Sequence, residues 1–218
     1  MKTIHIRDSK EDLIIGKIVC VGRNYADHAS ELGNKVPDKP ILFLKPPSSV
    51  IYSGDKIQTP SFTNNMQHEV ELVLAIGKEI KNADGLQADD AITAYGVGLD
   101  MTLRDVQNEL KKNGHPWTVA KCFDTSTVLS PFESRQLYKL TLKETISLSV
   151  NDVVKQSAKL NTMIFFPIKL VQYISSVMKL EPGDLVFTGT PAGVGKVSKG
   201  DKIHASISGI AELDCEVE

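Results

Sequence analysis

The chain has 218 residues, of which 41% are apolar and 24% charged, with a formal net charge of -2. That length suits one domain with a sizeable core, and the interspersed signs give no basic field for nucleic acid or an acidic membrane surface. The three cysteines, Cys20, Cys122 and Cys215, are an odd count with no C-x-x-C spacing, which argues against a disulfide framework and fits a reducing compartment.

The first residues, MKTIHIRDSKEDL, lack the apolar stretch of a signal peptide, and no apolar run approaches a membrane span. A cytoplasmic protein is expected. Residues 1–16 read as a short extension ending at Gly16. KIVCVG (17–22) is a β-branched run and predicts a strand. NYADHASELG (24–33) predicts a short helix closed by Gly33. PILFLKP (40–46) is a strand fenced by prolines. Residues 46–67, rich in Pro, Ser, Thr and Asn, predict an irregular connection. QHEVELVLAIG (67–77) predicts a buried strand, LQADDAITAYG (86–96) a helix, and VGLDMT (97–102) a strand end. Thr102 is placed to cap a helix running through Asn113, with Asp105 in the capping-box position and Gly114 as the stop. TISLSVNDVVKQ (145–156) predicts a hairpin turning at Asn151-Asp152. Residues 161–180 carry helical spacing at Ile164, Ile168, Val171, Ile174 and Met178. LEPGDLVFTGTPAGVG (180–195) is a Pro-Gly turn, a strand and a glycine-rich loop, and 197–217 holds two more strands. Many short strands, few helices and no regular β-α alternation indicate an α+β fold.

The strand at 67–77 holds two carboxylates among apolar residues. Side chains alternate along a strand, so Glu69 and Glu71 share a face, about 6.6 Å apart, while Val70, Leu72 and Leu74 face the core. A solvated strand face is the plainer alternative. Against it, the same face continues as Val73 and Ala75. Two close carboxylates in a low dielectric repel until a proton or a cation intervenes. Oxygen ligands without Cys or a His pair favour Mg²⁺ or Mn²⁺ over Zn²⁺. Asp100, ending an apolar run, is the candidate third ligand, with an N-cap role as the alternative. Arg104 and Gln107, three apart on the following helix, share a face and suit an anionic substrate oxygen. His28 and Glu31, also three apart, can form a pair in which the carboxylate fixes the imidazole tautomer and leaves the other nitrogen as a base; a surface histidine beside a solvated glutamate is the plainer alternative.

Five stretches, VCVGRNYADHASELG (19–33), PILFLKP (40–46), HEVELVLAIGK (68–78), YGVGLDMTLRDVQNELKKNGHPWTVAKCFDTS (95–126) and LEPGDLVFTGTPAGVG (180–195), together resemble the fumarylacetoacetate hydrolase family. Its short single-domain branch of acylpyruvate hydrolases and oxaloacetate decarboxylases is the most similar. The resemblance covers the chain from residue 17, which implies one catalytic domain over 17–218. It implies a mixed β-sandwich roll with peripheral helices and a short lid helix, and Mg²⁺ or Mn²⁺ held by Glu69, Glu71 and Asp100. It further implies that His28 and Glu31 lie on a mobile lid and activate water. Lys121 is otherwise a plain surface lysine, and the resemblance places it near the developing negative charge. Thr190 is implied in carboxylate binding, while Arg23 and Tyr25 fall in the lid motif. The implied substrate is a small 2-oxo acid and the implied assembly a homodimer, with no nucleic acid or membrane partner.

The implied chemistry is a metal-stabilised enolate at C2–C3. Acylpyruvate hydrolysis to pyruvate and a carboxylic acid is the first expectation, because the His–Glu pair is intact. Oxaloacetate decarboxylation or tautomerisation, and isomerisation or decarboxylation of hydroxymuconate-type diacids, are the alternatives. A non-catalytic binding module is the remaining class.

Overall fold

The computed structural model describes residues 1–9 and 12–218; the expected 1–16 extension thus includes two positions outside the described residues. β1 (Thr3–Ile4) pairs with β2 (Leu13–Ile14). The first long strand is β3 (Ile18–Gly22), followed by α1 (Ala26–Glu31) and β4 (Ile41–Lys45). Residues 46–67 are not irregular throughout. They carry β5 (Val50–Tyr52), β6 (Lys56–Ile57) and the start of β7 (Met66–His68), short strands that only partners far along the chain hold in place.

β8 (Val70–Ile76) begins after a break at Glu69, so the single strand expected over 67–77 is two. α2 (Gly85–Ala91) opens on a capping box between Asp84 and Gln87 and yields at Ile92 to β9 (Ile92–Asp100). The helix expected over 86–96 stops there because the β-branched Ile92 and Thr93 pack better on a pleated sheet. Thr102 does not cap a helix: β10 (Thr102–Leu103) is a strand, and α3 (Arg104–Lys112) starts after Leu103 without a side-chain cap. Asp105 instead accepts from the Thr63 hydroxyl at 2.6 Å and the Asn64 N–H at 2.8 Å, tying down the loop before β7. Gly114 ends the helix region at φ +69, as expected.

α4 (Thr118–Lys121), β11 (Thr127–Leu129) and β12 (Glu133–Ser134) follow. β13 (Thr145–Val150) and β14 (Val153–Lys159) form the expected hairpin. Asn151 and Asp152 both take positive φ, at 49° and 64°, as a type I′ turn demands. α5 (Pro167–Val177) is shorter than the helical spacing over 161–180 suggested. Pro167 occupies the first helical position, where its missing N–H breaks no bond. β15 (Leu185–Phe187), β16 (Gly195–Lys196), β17 (Lys202–Ile207) and β18 (Ala211–Val217) complete the chain.

The result is α+β with mixed sheets. The largest runs β4-β3-β15-β8-β9-β11-β5, with β12 on β9; a second runs β14-β13-β17-β18-β6; a small one runs β10-β7-β16. Leu72, Leu74 and Ile76 of β8 join Leu148, Ile203 and Leu213 of the second sheet in the main core. Val73 and Ala75 face a second core, closed over by Ile4, Ile6 and Ile15 of the N-terminal stretch. β8 is therefore buried on both faces, which explains why the carboxylate face continues in apolar residues. Among the described residues no helix is long and apolar enough to cross a membrane.

Candidate active site

The three carboxylates meet because of strand register. β8 and β9 pair antiparallel, with Val70 opposite Leu99 and Glu71 opposite Gly98. The Asp100 N–H donates to the Glu69 carbonyl at 2.9 Å. The break at Glu69 lets β7 leave the large sheet and pair with β10 and β16. One oxygen from each of Glu69, Glu71 and Asp100 lies within 4.8 Å of the others, and all three residues are buried. Gly98 is required for this approach: a Cβ there would stand 2.8 Å from Phe187 and Val73.

Three cations close around the trio. Lys121, on the surface by sequence alone, is buried, and its ammonium donates to Glu69 at 2.7 Å, to Asp100 and to the Thr102 hydroxyl at 2.6 Å. That uses all three of its hydrogens. Arg104, in the first turn of α3, donates to Glu69, to Gln67 at 2.8 Å and to Gln107 at 2.7 Å. The predicted Arg104–Gln107 face is thus real, with Gln107 steadying the guanidinium. Lys45, at the end of β4, is fully buried and donates to Asp100 at 2.7 Å.

His28 and Glu31 come from α1. His28 Nδ1 stands 3.3 Å from Glu31. The carboxylate accepts, so Nδ1 carries the proton and Nε2 is left as an acceptor. Both Glu31 oxygens also accept from the Gly193 N–H, at 3.1 and 3.2 Å. Gly193 sits at φ +98, and a Cβ there would meet the Lys155 carbonyl at 2.0 Å, so the loop needs glycine at this point. Lys111 reaches the Asn34 side chain at 3.4 Å and joins α3 to the end of the lid. Arg23 and Thr190 border the same small cavity as the trio and His28, about 30 Å³ in volume. Tyr25 is buried, and among the described residues its hydroxyl has no hydrogen-bond partner. Phe43 lies 5.0 Å from the Lys121 ammonium and packs edge-on against Trp117, giving the cavity an apolar wall.

The electrostatics are uneven. Burial works against ionising Glu69, but Lys121 and Arg104 outweigh it and hold Glu69 below the usual carboxylate range. Burial likewise works against the Lys121 charge, and Asp100 and Glu69 override it, keeping the ammonium charged. Glu71 differs: its hydrogen bond comes from the Gly189 N–H at 2.6 Å, and burial, then Asp100 and Glu69, push it well above the usual range. An all-oxygen trio in which Glu71, among the described residues, has no cation as hydrogen-bond partner fits a hard divalent cation. His28 is pushed below the ordinary histidine value, chiefly by burial, so it is a neutral base at neutral pH.

Every site residue expected from the sequence borders this cavity except Glu31, which holds His28 from behind. Lys45, Gln67, Gln156 and the Gly189 and Gly193 amides were not anticipated. Lys45 carried a signal, a lone cation in the apolar strand ILFLK, and so did Gln67, two residues before Glu69 on the same face of the expected strand; Gln156 and the Gly193 amide reach the site through tertiary contacts.

Residues 17–218 match the family model described as fumarylacetoacetate (FAA) hydrolase C-terminal. The chain is 45% identical to a mitochondrial oxaloacetate tautomerase of Arabidopsis thaliana over 202 residues, 93% of this chain and 91% of that one. It is 45% identical to a mitochondrial oxaloacetate decarboxylase of Dictyostelium discoideum over 195 residues, 89% of each. In structure it is similar to fumarylpyruvate hydrolase from Pseudomonas aeruginosa in complex with Mn²⁺ and pyruvate, with a TM-score of 0.95 and 37% identity, over 99% of this chain and 95% of that one.

Proposed function

The chain belongs to the fumarylacetoacetate hydrolase family, and on that premise we propose that it is a Mg²⁺- or Mn²⁺-dependent enzyme of small 2-oxo acids, with oxaloacetate as first substrate. The observation that carries this reading is the buried Glu69–Glu71–Asp100 trio facing a neutral, carboxylate-oriented His28 across one small cavity. The oxaloacetate tautomerase and decarboxylase among its relatives support the substrate.

Glu69, Glu71 and Asp100 would hold the cation. When bound, it supplies a positive charge against the negative charge that develops on the 2-oxo oxygen as C3 loses a proton or CO₂. Arg104 and Lys121 add fixed positive charge at the same place, and preorganised charge needs no rearrangement during reaction. Thr190 and Arg23 would take the substrate carboxylate. His28 Nε2 would accept the C3 proton, and Glu31 would stabilise the imidazolium that results. Trp117, Phe43 and the lid keep bulk water out.

Acylpyruvate hydrolysis is the second reading, supported by the Mn²⁺- and pyruvate-bound fumarylpyruvate hydrolase. There His28 would draw a proton from water for attack at C4. A homodimer is proposed on the family resemblance, to be read by sedimentation. Purified protein with and without Mg²⁺ or Mn²⁺ separates the activities. Cation-dependent loss of enol-oxaloacetate absorbance, or pyruvate formation from oxaloacetate, supports the first reading. Turnover of acetylpyruvate alone favours the second. Inactivity on both with either metal would leave hydroxymuconate-type diacids as substrates and, if those are not turned over either, a binding module.

A further inference from the structure

Gln156 of β14 is fully buried, and all of its amide hydrogen-bonding capacity is used. Its oxygen accepts from the Val70 N–H at 3.2 Å and meets His68 Nδ1 at 2.9 Å. Its nitrogen donates to the Pro191 carbonyl and to the Thr190 hydroxyl oxygen, both at 2.8 Å. A side-chain amide can be placed either way round in principle. Here it cannot, because a backbone N–H only donates and a carbonyl only accepts. Val70 therefore fixes the oxygen end, and Pro191 fixes the nitrogen end.

The consequence falls on Thr190. Its oxygen receives a hydrogen bond from Gln156, so its own O–H must point elsewhere. Among the described residues no acceptor takes that proton, although Thr190 is only 3% exposed and borders the carboxylate cavity. We propose that Gln156 is a positioning residue that locks Thr190 as a hydrogen-bond donor toward an anionic group of the substrate, its carboxylate. The inference rests on the 2-oxo acid reading of the site. It goes beyond it by assigning a polarity to Thr190 and a function to a residue that touches neither substrate nor cation. The same amide spans β8, between Glu69 and Glu71, and the loop carrying Gly189 and Thr190, so one side chain ties the cation half of the site to the carboxylate half.

Gln156→Glu separates the two ends. It keeps an acceptor for Val70 and His68 and removes the NH₂ that holds Thr190. Gln156→Met removes both donors without adding charge. Oxalate affinity of the Mn²⁺-loaded protein, measured by calorimetry, is expected to fall about tenfold or more in each, the worth of a hydrogen bond to a charged group. Mn²⁺ affinity of Gln156→Glu should stay within about twofold of wild type by the same measure. In a Thr190→Val background, neither Gln156 substitution should weaken oxalate further, because the effect passes through that hydroxyl. On the wild-type protein, selective ¹⁵N labelling of glutamine should show a side-chain NH₂ resonance of Gln156 that shifts on oxalate binding and does not shift in Thr190→Val. Unchanged oxalate affinity in both Gln156 variants, additive loss with Thr190→Val, or an unmoved Gln156 resonance would overturn the inference. Wild-type protein that binds Mn²⁺ but not oxalate would overturn the 2-oxo acid reading beneath it.

Discussion

Glu71 and Asp100 stand on β8 and β9, whose every flanking residue but one is buried and whose register is fixed by a long antiparallel pairing. His28 stands on α1, a helix of 6 residues with no side-chain cap, too short to persist without tertiary support. The N-terminal end of this helix is anchored by the buried Asn24, whose side chain bonds Thr188 and Phe165, whereas its C-terminal end is held by the Glu31–Gly193 and Lys111–Asn34 contacts, at the surface or near it. On the proposed mechanism the cation half is preorganised by the core, while Glu31 and the C-terminal end of α1 depend on a few polar contacts that substrate would reinforce. In that proposal the first half sets where charge is stabilised and the second sets when the base arrives.

Substitutions on the rigid half should have the largest effect. Glu69→Gln, Glu71→Gln and Asp100→Asn should each cut metal-dependent turnover by at least on the order of a thousandfold, the scale of a lost several-kcal/mol charge stabilisation. EDTA should do the same to wild type, and added Mn²⁺ should reverse it. On the lid half, His28→Ala should cost on the order of 10²–10⁴ in rate while leaving cation and oxalate binding in place. Loss of oxalate binding in that variant would make His28 part of the rigid half and break the contrast.

Lys45→Met tests whether the core really holds the trio together. It strips one of the two ammonium partners from the buried Asp100, and a broken buried pair costs about 3–5 kcal/mol. The loss in urea-unfolding stability without metal should fall near the lower end, because Lys121 remains. A negligible loss would mean that Asp100 needs no partner there.

The smallest effect belongs to Glu31→Gln. Burial lowers the His28 pKa, and the Glu31 hydrogen bond and charge work the other way. Removing that charge should lower it further. Activity of a neutral base is lost as pH falls through its pKa, so the acid limb of the pH–rate profile should move to lower pH. The plateau should also drop, because the imidazolium loses its stabilising partner. An acid limb moved to higher pH would remove Glu31 from its role.

Legibility in the sequence was uneven within the site. Strand alternation alone puts Glu69 and Glu71 on one face, and the end of an apolar run marks Asp100. These are local patterns, and they hold even though Glu69 turned out to sit at a break between sheets. Lys45 and Gln156 reach the site across the fold, through partners at Asp100, Val70 and Thr190, and no local pattern encodes such a meeting. Helix bounds failed where two states competed: Ile92 and Thr93 followed the sheet, and Asp105 served the Thr63 loop instead of a cap. His5 and His204 each pair with an exposed aspartate, Asp12 and Asp214, and no local pattern marks either pair.

Calorimetric titration of Mn²⁺ into metal-stripped protein, followed by oxalate, reads the site most directly. One Mn²⁺ should bind per chain, oxalate should bind only afterwards, and Asp100→Asn should abolish both steps. Oxalate binding of equal strength in excess EDTA, or Mn²⁺ binding that survives Asp100→Asn unchanged, would contradict the cation-centred 2-oxo acid site.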